Sequence, residues 1–311
     1  MQSPVKWFGG KSDMASMIAG LFPAHRIYVE VFGGGGSVLF NKPPSAVEVY
    51  NDLDSGLVTF FRVVRDTELA PKLYFLASRT PYSREEYIYA RDHWRDEHDP
   101  VRKAFYWYIT MRMGYGSVMS PSNGWSRSRK TGRKMSQVNQ SWISSNGRLA
   151  EAQDRLMQVQ IEQQDFRKLI TDFDTIETVF YIDPPYVHDT RRGGNYDHEL
   201  SDDDHRDLVE LLLGLRGEAV LSGYATELYA PLIKSGWKLQ THDRVCKIGF
   251  NTKANKIDLA KAARTECLWV SPGIGRRRSR RSPKPSLRRE SHAVVRRSVH
   301  YTPTRELAAC H

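Results

Sequence analysis

Seven short runs rich in branched and aromatic residues, most of them separated by stretches with helical spacing, leave this chain few ways to fold. The runs are residues 27–32, 46–50, 158–162, 178–182, 218–222, 237–247 and 265–270. Several are continuously apolar, as strands buried on both faces of a sheet must be; the last two are more polar. Between them Met14, Met17, Ile18, Leu21 and Phe22 keep helical spacing, as do Leu208, Leu211, Leu212 and Leu215 behind a cap-like Ser201-x-x-Asp204. Strands alternating with helices predict an α/β layer fold with a mainly parallel sheet. The interval between the second and third runs is helical and basic instead, and predicts an inserted second domain. The expected division is a body of residues 1–80 and 149–272, an insert of residues 81–148, and a tail of residues 273–311.

Charge sharpens that division. The 311-residue chain carries a formal +10. Residues 101–148 hold nine Lys and Arg and no acid, and residues 273–311 hold eleven Lys and Arg against two acids, which leaves the remainder at −8. An acidic body with two basic blocks points to a polyanionic partner. In the first block the aromatic residues Trp107, Tyr108, Tyr115, Trp125 and Trp142 are interleaved with the cations, and flat faces beside positive charge suit nucleic acid. Ala104, Phe105, Tyr108, Ile109, Met111 and Met113 are spaced to wind as a helix, ahead of a Gly/Ser/Asn/Lys/Arg-rich loop over residues 114–132. The tail begins GIGRRRSRRSPKPS with little apolar periodicity, which predicts disorder.

Other classes drop out on composition. Hydrophobic residues at 40% and charged residues at 26% are ordinary for a globular protein. No run reaches the roughly 18 apolar residues that span a bilayer, and no apolar stretch follows Lys6 and Lys11 as in a secretory signal. Three scattered cysteines (Cys246, Cys267, Cys310) make neither a disulfide framework nor a zinc site. The ten histidines form no ligand set, so no metal is expected. The expected protein is soluble and cytoplasmic, with no membrane and no obligatory protein partner.

The first strand runs into Phe32-Gly33-Gly34-Gly35-Gly36-Ser37, where glycines let the backbone turn sharply and approach a ligand closely. The spacing is neither that of a dinucleotide fold nor that of a nucleotide phosphate loop. Asn51-Asp52 ends the second strand, 18 residues beyond Gly34, where a bound ribose is held by its hydroxyls. A glycine turn and a ribose-length acid without a pyrophosphate site fit an adenosine cofactor, with S-adenosylmethionine the candidate. Asp52 as a helix N-cap is the competing reading. Glu30 stands open between a structural and a cofactor role.

The fourth strand delivers Asp183-Pro184-Pro185-Tyr186. Two prolines stiffen the turn and remove two donors, leaving the Asp183 carboxylate and the Pro184 carbonyl as fixed acceptors beside an aromatic face. An adenine N6 lone pair is delocalised into the ring. Two acceptors on its hydrogens favour the pyramidal geometry that frees the lone pair, and they stabilise the positive charge that grows as a methyl group arrives. Tyr186 would stack on the extruded base.

With Lys6-Trp7-Phe8-Gly9-Gly10-Lys11, V-E-V-F-G-G-G-G-S from Val29, Asn51-Asp52 and D-P-P-Y in this order, the chain resembles the Dam-like DNA adenine methyltransferases, in particular members often found in phages and prophages. Gln164-Asp165-Phe166, D-D-D-H-R-D-L from Asp202, Leu221-Ser222-Gly223-Tyr224 and Arg264-Thr265-Glu266-Cys267-Leu268-Trp269 fit the same family. The resemblance runs from residue 4 to about residue 272. It implies a Rossmann-like, seven-stranded methyltransferase sheet with an inserted, mainly helical target-recognition domain. It implies that Trp7, Lys11, Phe32, Gly34, Gly36, Asp52, Asp165 and Phe166 bind S-adenosylmethionine and that Asp183, Pro184 and Tyr186 are catalytic. The basic insert falls where the family reads double-stranded DNA, with Arg112, Arg127, Arg129, Lys130, Arg133 and Lys134 as the candidate DNA-binding residues. Val31 stands where relatives commonly have proline, and the insert lacks the residue pattern of GATC-reading members. Asp183 disfavours the relatives acting on cytosine, which favour serine there, and those acting on glutamine or RNA, which favour asparagine. A catalytically silent DNA-binding protein on the same fold would be suggested by loss of Asp183, Tyr186 or the glycine loop, and all are intact. Tyr224 and Trp269 are expected in the core.

Overall fold

The computed structural model describes residues 1–7, 9–117, 119, 122–187, 199–245 and 263–277. Seven strands form one sheet: β1 (Ile27–Glu30), β2 (Val47–Asn51), β3 (Val159–Glu162), β4 (Thr178–Ile182), β5 (Glu218–Gly223), β6 (Lys238–Val245) and β7 (Ala263–Val270). Their order across the sheet is β3-β2-β1-β4-β5-β7-β6. The first five pair in parallel, and β7 runs antiparallel to both of its neighbours. The fold is therefore the Rossmann-like α/β sheet expected, each expected run giving one strand; residues 246 and 247 of the sixth run lie outside the described residues.

Strand residues alternate between two cores. Tyr28, Tyr50, Tyr181, Val220 and Leu268 face one hydrophobic cluster, while Val29, Val49, Phe180, Leu221 and Trp269 face another. The second face is covered by α9 (Phe166–Phe173), α10 (Asp202–Leu213) and α11 (Ala230–Lys234). The first is covered by α1 (Ala15–Leu21), α2 (Ser37–Asn41), α3 (Ser55–Arg65), α4 (Ala70–Arg79), α5 (Arg84–His93), α6 (Pro100–Met113), α7 (Gln137–Asn146) and α8 (Leu149–Leu156). Side chains set several helix starts: Asp54 accepts from Leu57 N in α3, Asp99 from Arg102 N ahead of Pro100 in α6, and Ser201 with Asp204 forms a reciprocal capping box in α10.

The insert does not build a core of its own. Phe60 of α3 stacks on Tyr108 of α6 at 5.0 Å, and Trp107 lies 5.3 Å from the same ring. Trp142 Nε1 donates to Thr80 O, and Asn146 Nδ2 to Ala77 O, pinning α7 to α4. Residues 1–279 accordingly form one compact unit. At the start of the expected tail, Pro272–Arg277 forms α12, and Ile274 is buried in the first core. Residues 278–311 lie outside the described residues. Among the described residues no helix is long and apolar enough to cross a membrane.

Two buried acids tie β-strands to α2. Glu48 of β2 pairs with both Lys42 and Arg155, linking β2, α2 and α8. Glu30 of β1, 1% exposed, accepts from Tyr28 Oη at 2.7 Å and from Leu39 N at 2.8 Å, so its role is structural. Burial pushes the Glu30 carboxyl up to about 8, against the two hydrogen bonds and with help from the Asp183 charge. An unfolded glutamate titrates near 4.5, so folding takes up a proton between those values and this residue's contribution to stability falls as pH rises through the window. Glu30→Gln keeps the acceptor and removes the titration. Its melting temperature relative to wild type is expected to rise steadily from about pH 5 to pH 8; thermal melts across that range check this, and a pH-independent difference contradicts it.

Candidate active site

The carboxyl ends of β1 and β4 lie side by side. Glu30 is in register with Tyr181, and the ladder extends one step further through Val31 N to Tyr181 O at 3.0 Å. A proline at position 31 has no N–H to make that bond, so the valine here tightens the junction. The glycine loop after β1 and Asp183-Pro184-Pro185-Tyr186 after β4 therefore emerge at one edge. The ends of β2 and β3 join them through Asn51, whose Nδ2 donates to Val31 O and Gln164 O and whose Oδ1 accepts from Gln164 N.

The glycine loop is shaped by what presses on it. Gly33 N donates to Asn51 O, and a Cβ on Gly33 would stand 2.1 Å from the Tyr50 ring. Gly34 has φ +48°, a left-handed conformation, and a Cβ there would meet the Trp7 indole at 2.7 Å. Tyr50 Oη donates to Gly34 O at 2.6 Å, and Asp52 Oδ2 accepts from Gly34 N at 2.7 Å. Gly36 also has positive φ and leads into α2. Asp52 is not the helix cap that competed with its ribose reading. That role falls to Asp54, while the other oxygen of Asp52 accepts from Asp54 N.

Trp7, Phe32, Gly34, Gly36, Asp52 and Phe166 thus gather along this edge. Trp7 stacks on Trp107 at 6.3 Å, and Phe32 lies 5.6 Å from Phe166. Phe166 is buried under the Arg167 guanidinium, and Asp165 caps α9 with its side chain half exposed.

Lys11, expected at the cofactor, is paired with Asp183. Its ammonium reaches both carboxylate oxygens of Asp183, at 2.7 and 2.8 Å, and the carbonyl of Gly9 at 3.2 Å. Glu266, reached from β7, stands 3.6 Å from the same ammonium and accepts the Tyr186 hydroxyl. Tyr186 Oη is also 3.3 Å from Asp183 Oδ1. Burial raises the Tyr186 phenol well above its usual value, and the Asp183 and Glu266 charges add to that, so it stays a neutral donor. The Tyr186 ring meets Tyr224 edge-on at 4.6 Å. Trp269 is core as expected, but Tyr224 is only partly buried and belongs to this site. Sequence reasoning gives neither Glu266 nor Tyr224 a part in this site; their signal is that both sit where β5 and β7 reach the edge beside β4.

The insert sorts its candidates. Arg127, Arg129, Lys130, Arg133 and Lys134 are exposed. Arg133 and Lys134 form the two-residue turn of a short hairpin (Thr131–Gly132 with Met135–Ser136), both at positive φ, +48° and +67°. That turn geometry favours Asn and Gly, so two long cations there carry strain. Arg112 is a correction: it is 8% exposed and donates to Ser141 O and Oγ, holding α7 against α6. The aromatic reading is corrected with it. Trp107 and Tyr108 are fully buried and Trp142 nearly so, because α6 is enclosed on most sides; only Tyr115 is well exposed, and Trp125 packs on Tyr82.

A family profile described as D12 class N6 adenine-specific DNA methyltransferase matches residues 7–244. The chain is also similar to proteins named DNA adenine methylase from Salmonella typhi and Salmonella typhimurium, with 29% identity over 119 residues, 37% of this chain. That stretch spans 41% of the length of these curated relatives. With a match over most of its length and the glycine loop and D-P-P-Y turn meeting at one sheet edge, the chain belongs to the D12 class of N6 adenine-specific DNA methyltransferases.

Proposed function

We propose that this chain moves the methyl group of S-adenosylmethionine to the exocyclic N6 of an adenine extruded from double-stranded DNA, within a cytoplasm. The observation that carries the reading is the parallel register of β1 and β4, which sets the glycine loop beside Asp183. The residues at the edge fit the cofactor. Tyr50 and Trp7 leave no room for a Cβ on Gly33 and Gly34, and the Asp52 carboxylate stands against the same loop, bonded to Gly34 N and Asp54 N, where a ribose hydroxyl would be met. Trp7, Phe32, Gly34, Gly36, Asp52, Asp165 and Phe166 would hold it. Bound there, the sulfonium supplies an electrophilic methyl group.

The chain's own residues do the rest. Asp183 accepts one hydrogen of the adenine amine and the Pro184 carbonyl the other, which turns the nitrogen lone pair out of conjugation. The carboxylate then stabilises the positive charge that develops on nitrogen. Tyr186 offers its ring to the base, held upright by Glu266 and Tyr224. The exposed cations of the insert supply the attraction to phosphates, and the strained Arg133–Lys134 turn presents two of them at a hairpin tip.

Three outcomes are expected. Asp183→Ala lowers single-turnover methyl transfer by roughly 10²–10³-fold or more, with cofactor affinity by calorimetry little changed; full activity in the folded variant refutes the role. Gly34→Ala adds about 1–2 kcal/mol of backbone strain and displaces Trp7, so cofactor binding weakens at least about tenfold; unchanged affinity counts against the cradle. Replacing Arg127, Arg129 and Lys130 by alanine weakens DNA binding and flattens the slope of log K against log salt by about 0.9 for each phosphate that is no longer neutralised. An unchanged slope shows that this loop does not face DNA.

A further inference from the structure

The carboxylate that would grip the substrate amine is already engaged. Both Asp183 oxygens take the Lys11 ammonium, so an incoming amino group meets a competitor. Lys11 has no route to solvent, since its side chain is 3% exposed, and a buried ammonium left without a counter-charge costs several kcal/mol. Among the described residues, one other carboxylate lies within ion-pair range of it. Glu266 Oε1 is 3.6 Å away, its side chain also 3% exposed, and a shift of about 1 Å would turn that approach into a direct hydrogen bond.

We propose that Glu266 is a positioning residue that takes over the Lys11 ammonium when an amine docks on Asp183, while holding the Tyr186 hydroxyl; this rests on the methyltransferase reading. Exposure gives the two carboxylates different parts. Asp183, 18% exposed, is within reach of an entering group, whereas the Glu266 side chain is 3% exposed. The antiparallel course of β7 brings this about. Gly223 at the end of β5 pairs with Cys267, so the preceding residue, Glu266, stands at the carboxyl edge of the parallel strands beside Asp183. Gly9 O remains a fixed acceptor for Lys11 at either station, and the Tyr186 ring, 5.0 Å from the ammonium, flanks the path between them.

The test compares Glu266→Gln, which keeps size and the acceptor for Tyr186, with Glu266→Asp, which keeps charge. Single-turnover methyl transfer to DNA is measured with labelled cofactor, alongside the KM for cofactor and thermal melts. Glu266→Gln is expected to lower the rate constant about tenfold or more with the cofactor KM within about twofold, and Glu266→Asp to recover most of the loss. In a Lys11→Gln background the further Glu266→Gln change should cost less than about twofold, because the ion it serves is gone. A Gln variant as active as wild type or better than the Asp variant, or effects that multiply in the double variant, overturns the proposal. Should the Gln variant fail to fold, the same cycle is run with Glu266→Ala, and a penalty in the Lys11→Gln background as large as that in wild type overturns the proposal. Wild-type protein without methyl transfer removes the enzymatic reading and this proposal together, whereas an active wild type with an indifferent Glu266 removes this proposal alone.

Discussion

Two parallel strands ending side by side are what everything at this site depends on. The pairing of β1 with β4 is buried on both faces, so a slip of one residue would exchange the inward and outward sets of side chains between two cores. That penalty holds Glu30 opposite Tyr181 and, one step on, Val31 N against Tyr181 O. Loops at the carboxyl ends of such strands are where α/β sheets bind ligands. Here the constraint is stronger than adjacency, because the Asn51 amide laces the exits of β1, β2 and β3 together. The cradle over the glycine loop is therefore rigid before anything enters it.

Rigidity comes with a second requirement: charges buried in and around the sheet need partners in place. The structure meets it in three ways. Glu48 is flanked by Lys42 and Arg155, with hydrogen bonds from both holding its carboxyl below the usual range despite burial. Glu30 sits neutral under two donors. Lys11 lies between two carboxylates, one accessible and one sealed. Only the third offers one cation two carboxylates, and it stands at the carboxyl edge of the sheet.

Much of this is readable in the amino-acid order. Strand limits agree with the structure to within about two residues, because buried parallel strands read as apolar runs and glycine or proline marks where they stop. The Asp183 turn and the glycine loop stand out for the same reason, since their chemistry is written in contiguous residues. What cannot be read has a common cause. Glu266 and Tyr224 reach the site from strands remote in sequence, and a lone acid in a polar strand looks like any solvated one until its neighbours are known. Asp52 and Asp54 are two residues apart, and which one caps α3 turns on backbone geometry. The aromatic residues of the insert mislead because composition does not separate a buried ring from an exposed one; α6 hides ten of its fourteen residues.

Burial of those rings changes how the insert must work. With Trp107, Tyr108 and Trp142 committed to the core, this block cannot offer them to bases, and its aromatic content serves stiffness instead. Arg112 is spent the same way, locking α7 to α6. Between those helices the exposed cations lie on the loop and hairpin, at residues 127, 129, 130, 133 and 134. Charge on a loop attracts phosphates but does not by itself choose a sequence. A tight turn that holds Arg133 and Lys134 in a conformation long side chains disfavour does something more, because a strained backbone persists only where its surroundings over-determine it. The buried aromatic platform of α6 and α7 is that support: Gln137 N, opening α7, donates to Lys130 O at the base of the hairpin. Stacking residues and charged residues, interleaved in the sequence, thus separate in space into a foundation and the projecting segment it holds in place.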